Sequence, residues 1–291
     1  MTKISKKQLK FLGLSGLSML LVGCSTASVL NGITPSSSFD RDKGVTYGEV
    51  ERQSMDIYRA ASPKADAPVI VFLYGGGWTS GFKGMYKFVA EGFTKDGYDV
   101  VVPDYRLFPD SLYPQMIEDT GQAIQATAEQ FPDRPLVLMG HSAGGYNVLM
   151  SVMAPDISGV SVCERVAGVV SLAAPTGAYP MTDEPYTEIF PDLFKADDAP
   201  MGRLRADIPP IMLVNGRDDK TVGYKNASTL SDALNEIGVK TRLAIYEDMN
   251  HIDPVRVLSR HFDSGSPLKN DIVAFIDALP TSGPYCPTEQ D

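Results

Sequence analysis

Hydrophobic residues along this chain cluster in short, almost wholly apolar blocks separated by longer amphipathic stretches. PVIVFLY at 68–74, YDVVVP at 98–103, LVLMG at 136–140, VAGVVSL at 166–172, IMLVN at 211–215 and TRLAIY at 241–246 are the blocks. Runs this short and this rich in β-branched residues predict strands buried on both faces. Between them, 3.6-residue periodicity predicts helices near 83–95, 117–130, from Ala143 onward, 225–237 and 268–278. Strand and helix alternate, which predicts one α/β domain with a mostly parallel central sheet covered by helices on both faces. Ahead of it, VTYGEV at 45–50 and QSMDIYRA at 53–60 predict a pair of short strands.

Two stretches break the rhythm. Residues 174–209 are rich in Pro, Asp and aromatics and too long for an ordinary loop, so they are read as a small cap insertion or a surface excursion, with a short helix near Tyr186. Residues 24–40 are rich in Ser, Thr, Gly and Pro with little periodicity, and predict a flexible tether leading into a folded domain at 41–291.

The extreme N-terminus changes the picture of where the protein works. Lys3, Lys6, Lys7 and Lys10 precede the apolar run FLGLSGLSMLLVG, the layout of an export signal at 1–23. The run is shorter than the roughly 20 residues that span a bilayer as a helix. LVGC at 21–24 resembles the bacterial lipobox, and the resemblance implies lipidation of Cys24 and anchoring in the cell envelope, with Ser25 favouring the outer membrane if the source is Gram-negative. The formal charge of −10 excludes a basic face for nucleic acid. In an oxidising compartment Cys163 and Cys286 are either a disulfide, at the sheet edge opposite the active site, or two buried thiols. Nothing in the pattern fixes an oligomeric state.

The chemistry concentrates at the strand ends. GHSAG at 140–144 follows strand LVLMG and opens a helix, the setting of a nucleophile elbow centred on Ser142, where bulky neighbours would collide across the turn. Serine needs a base oriented by a carboxylate. Among the three histidines, His141 adjoins the nucleophile, His261 falls on an expected helix, and His251 follows strand TRLAIY at the sheet edge. His251 is the expected base. The loop NGRDDKTV supplies the carboxylate, Asp219 by its place before the chain turns back, with Asp218 as the alternative and helix capping as another use for either. YGGGW at 74–78, directly after a buried strand, offers backbone N–H donors for an oxyanion: Gly76, Gly77 and, from the elbow, Ala143. Trp78 and Tyr146 are the expected substrate contacts, with Tyr105, Phe108 and Phe190 as further pocket candidates, although aromatics there also serve as core.

YGGGWTSGFK, VVPDYRLFP, GHSAGGYN, NGRDDKTV and MNHID together resemble the α/β-hydrolase superfamily, in the carboxylesterase branch related to hormone-sensitive lipase. The resemblance covers roughly residues 48–279. YGG.W with GHSAG.YN is shared with prenylcysteine methylesterases, and arylformamidases carry a related HGG.W. It implies an α/β-hydrolase fold and a small-molecule ester substrate cleaved by a Ser-Asp-His triad through an acyl-enzyme, with no metal or cofactor. Tyr74 stands where the branch has the histidine of HGGG, so nothing attributed to that imidazole transfers. An arylformamidase-type amidase and a non-catalytic envelope binding protein are the rival readings.

Overall fold

A computed structural model describes residues 30–177, 184–190, 198–262 and 265–287. Eight strands form one sheet: β1 (Phe39–Thr46), β2 (Ser54–Ala60), β3 (Val69–Leu73), β4 (Val100–Pro103), β5 (Leu136–His141), β6 (Val166–Leu172), β7 (Ile211–Gly216) and β8 (Thr241–Tyr246). Their spatial order is β1-β2-β4-β3-β5-β6-β7-β8. From β4 to β8 every pairing is parallel, while β1 and β2 join as an antiparallel ribbon at one edge. All positions of β3, β4, β5 and β6 are buried, so the unbroken apolar runs do mark strands covered on both faces. The covering helices are α1 (Lys87–Thr94), α2 (Gln115–Gln130), α3 (Ala143–Met153), α4 (Lys225–Glu236) and α5 (Leu268–Asp277).

The N-terminal side departs from expectation. The expected signal, Cys24 and the first part of the tether lie outside the described residues. From residue 30 on, the expected tether is docked: Leu30 is buried, and Asn31 donates to the Gly84 carbonyl at 2.6 Å. The Asn31 side chain also accepts from the Phe88 N–H, and Lys87 Nζ donates to the Thr34 carbonyl at 2.6 Å. These contacts are side-chain to backbone, so they leave no hydrophobic period. The first strand runs over 39–46 instead of 45–50. Its FDRDKG sequence looks like a linker because only Phe39 is buried and an edge strand is held by its backbone ladder. The register slips between Asp42 and Val45, and the Gly44 N–H bonds to Asp56 Oδ1 there.

A disulfide joins Cys163, in the helical turn before β6, to Cys286, and the Tyr285 N–H donates to the Cys163 carbonyl. The bond lies at the strand-start edge of the sheet. The strand-end edge, opposite it, carries the candidate site. Of the described parts of 174–209, Phe190 is fully buried at that second edge against Trp78 and Tyr146, whereas Asp207 lies at the first, its carbonyl 3.7 Å from Cys163 Sγ.

Candidate active site

Ser142 stands between the end of β5 and the first residue of α3 with φ 53° and ψ −120°, a backbone conformation that costs about 1–3 kcal/mol and persists only where its surroundings enforce it. The enforcement is close packing. A Cβ on Gly140 would lie 2.2 Å from the Gly144 carbonyl oxygen, and one on Gly144 would lie 2.2 Å from that of Leu73, so the turn closes directly onto β3. The Ser142 N–H donates to the Leu172 carbonyl at 2.8 Å, fastening the elbow to β6. The hydroxyl is thereby presented above the sheet edge.

Two loops meet it there. His251, in the loop after β8, places Nε2 2.9 Å from Ser142 Oγ. Its Nδ1 lies 2.8 Å from Asp219 Oδ2, so Nδ1–H donates to the carboxylate and Nε2 is left as the acceptor for the hydroxyl proton. Asp219 is buried and its other oxygen accepts from the N–H groups of Thr221 and Val222, both at 2.8 Å. Asn215 Nδ2 reaches Oδ2 at 3.2 Å and the Val222 carbonyl at 2.9 Å, bracing the loop from below. Asp218, the alternative carboxylate, is exposed, and His261 is exposed on a turn after the short helix Asp253–Arg256. Of these candidates, the Asp219, His251 and Ser142 side chains form a continuous line.

The donor loop lies against the elbow. A Cβ on Gly75 would come within 2.9 Å of the Ser142 Cβ, so glycine there lets the 75–77 backbone approach the nucleophile. Ala143 is the first residue of α3, where a helix leaves its N–H groups without carbonyl partners. Among the described residues no hydrogen bond engages the N–H of Gly76 or Gly77, whereas the Gly76 carbonyl accepts from the N–H groups of Thr79 and Ser80 and is thereby turned away. The arrangement can take a proton from a hydroxyl and offer backbone donors to a developing oxyanion.

His141 has a different position from its neighbour. It is buried, and its Nε2 lies 2.8 Å from the His251 carbonyl, which can only accept, so Nε2 carries the proton. Burial first, and then the adjacent His251, push its pKa down from 6.5 to about 3. It is a neutral strut beneath the base. Sequence reasoning set it aside, and also missed Asn215 and Asn147, whose partners are remote in the chain or in a neighbouring loop.

Trp78 and Tyr146 were expected to contact substrate, and the structure overturns this. Both are 1% exposed, stacked edge to face at 5.2 Å, and roofed by Phe190. Tyr105 is equally buried, giving its hydroxyl to the Tyr74 carbonyl. Phe190, from the segment after β6, covers Trp78 and Tyr146, which an aromatic-rich loop sequence does not reveal. Phe108 is half-buried, and of the covering segment's rings Tyr186 stays partly open, its hydroxyl beside Gly77. Tyr74 hydrogen-bonds Asp104 Oδ1 at 2.7 Å, holding the donor loop where the HGGG histidine would stand.

Comparison with known proteins agrees with this architecture. A family model described as BD-FAE matches residues 55–183. Isoprenylcysteine alpha-carbonyl methylesterase of Arabidopsis thaliana is 24% identical over 87% of this chain and 68% of its own length. Related methylesterases of Arabidopsis and rice are spanned over only 51–65% of their lengths. A kynurenine formamidase of Danio rerio is 28% identical over 43% of this chain and 42% of its own. The structure of esterase B from Lactobacillus rhamnosis, inhibited by a tributyrin phosphonate, superposes with a TM-score of 0.75 at 18% identity, covering 90% of this chain and 94% of that one. The chain has the α/β-hydrolase fold.

Proposed function

We propose that this protein is a serine hydrolase of carboxylic esters. The observation that carries the reading is the unbroken line from Asp219 Oδ2 through the His251 ring to Ser142 Oγ, with hydrogen bonds of 2.8 and 2.9 Å. Ser142 attacks the acyl carbon while His251 Nε2 takes its proton, and the N–H groups of Gly76, Gly77 and Ala143 hold the oxyanion. Asp219 fixes the ring and stabilises its charge. The protonated His251 then delivers its proton to the leaving alcohol, an acyl-enzyme remains, and water repeats the attack to free the acid. No step calls for a metal or cofactor. The esterase names among relatives and structural neighbours support ester hydrolysis, and within it short-chain or aryl esters are the proposed substrates. The segment after β6 acts as a small cap, and LVGC at 21–24 supports export and lipid anchoring through Cys24 in a bacterial envelope.

The formamidase match keeps an amidase of that type as the second reading. Turnover of p-nitrophenyl acetate and longer acyl esters, set against N-formylkynurenine, decides between them, and turnover of the formamide alone would sink the esterase. A fluorophosphonate probe should label the wild type and leave Ser142→Ala unlabelled. An unlabelled wild type would instead favour a binding role for the fold.

A further inference from the structure

The donor loop carries a device that the reaction itself does not require. Trp78 Nε1 donates to Asn147 Oδ1 at 2.9 Å, between two side chains that are 1% and 0% exposed. Trp78 closes the YGGGW loop. Asn147 sits one helical turn beyond Ala143 on α3, so it is rigidly tied to both Ser142 and the elbow donor. The bond therefore joins the two halves of the oxyanion site, which are 69 residues apart in the chain.

Two features make this more than packing. Trp78 has φ 58°, a conformation that a bulky residue adopts only when held, and its backbone is held separately, through a Phe108 N–H bond to the Trp78 carbonyl at 2.8 Å. Asn147 meanwhile satisfies the indole at the expense of its own amide: among the described residues, Nδ2 is buried without a hydrogen-bond partner. A fully apolar pair would avoid that unmet donor, and local rules of this kind are broken chiefly where function gains. The outer side of the indole is pressed by Phe190 at 5.0 Å and Tyr186 at 6.1 Å, both from the covering segment.

We infer that Asn147 is a positioning residue, which through Trp78 sets the distance between the Gly76–Gly77 donors and Ser142. The inference rests on the esterase reading above. Donors of this kind act on the transition state, so loosening them lowers kcat and spares KM.

The test uses Trp78→Phe, Asn147→Leu and the double variant, which removes both polar atoms at once. Asn147→Leu should lower kcat by about tenfold or more with KM within about twofold, since displacements near 1 Å cost on the order of a hundredfold. The double variant should lose no more kcat than the worse single, because both remove one bond. Its urea midpoint should stay at or above that of the single variants, since no buried polar atom is left unpaired. Trp78 is the only tryptophan, so native fluorescence reads the indole alone and should change in Asn147→Leu. Wild-type kcat in the double variant would overturn the inference while leaving the esterase intact, as would a kcat loss that merely tracks the unfolded fraction. A wild type that neither cleaves esters nor reacts with the probe would overturn both.

Discussion

His141 should make this fold sensitive to mild acid, and the size of the effect follows from its position. Its pKa is pushed from 6.5 to about 3 because burial, and then the neighbouring His251, oppose its protonation, with only a partial counterpull from its hydrogen bond to the His251 carbonyl and then from Asp219. Above pH 7 the ring is neutral in folded and unfolded chains and contributes nothing to the pH dependence. As pH falls below 6.5 the unfolded chain takes up a proton that the folded chain refuses until about pH 3. Stability therefore falls with falling pH, at up to about 1.36 kcal/mol per unit, and the whole gap is worth at most about 5 kcal/mol. Between pH 6 and pH 4 the loss assigned to this one ring is about 2.5 kcal/mol. Carboxylates also titrate near the lower end, so the measurement is a difference. Urea unfolding of wild type and His141→Gln would be followed at half-unit steps from pH 7.5 to pH 4. Glutamine keeps a donor for the His251 carbonyl but has no proton to gain. The two stability curves should converge as pH falls, the variant losing about 2.5 kcal/mol less between pH 6 and 4. Parallel curves would refute the account, because they would mean that His141 is protonated equally easily in both states.

Three further variants test the site and the frame. Asp219→Asn should lower kcat by about three to four orders of magnitude with little change in KM, since the amide favours the wrong ring tautomer. Asp218→Asn, one residue earlier and exposed, should lie within about twofold of wild type, and steady-state kinetics on one ester compares the two. A Cys163→Ser/Cys286→Ser variant releases a link spanning 123 residues and should lose about 2–4 kcal/mol in urea unfolding. Its kcat at low temperature should be unchanged, because the bond is at the edge away from Ser142. A matching fall in kcat would mean that the two edges are mechanically coupled.

How much of this was legible in the chain depends on how each contact is encoded. Ser142, Asp219 and His251 could be found because each follows the end of an apolar strand, and parallel strands bring their ends to one edge. The period of the sequence thus carries the site's geometry. Trp78 and Tyr146 were misplaced because a ring facing a cleft and a ring facing a cap have the same local sequence, and only the covering Phe190 separates them. Asn147 and Asn215 escaped because an asparagine within an apolar helix or at a strand end has no periodic signature; its meaning lies in a partner supplied by another loop. The docking of residues 30–34 was hidden for a related reason. Asn31 and Lys87 bind backbone carbonyls, and polar residues making such bonds look the same as solvated ones.

The disulfide also closes part of the chain into a covalent ring. Cys286 lies beyond α5, and its partner sits just ahead of β6 in the middle of the sheet. The ring takes in β6, β7 and β8 and the loops that supply Asp219 and His251. A protease that cuts one exposed turn inside the ring would therefore leave two polypeptides still joined through sulfur, and a mass spectrometer would see them part only after reduction.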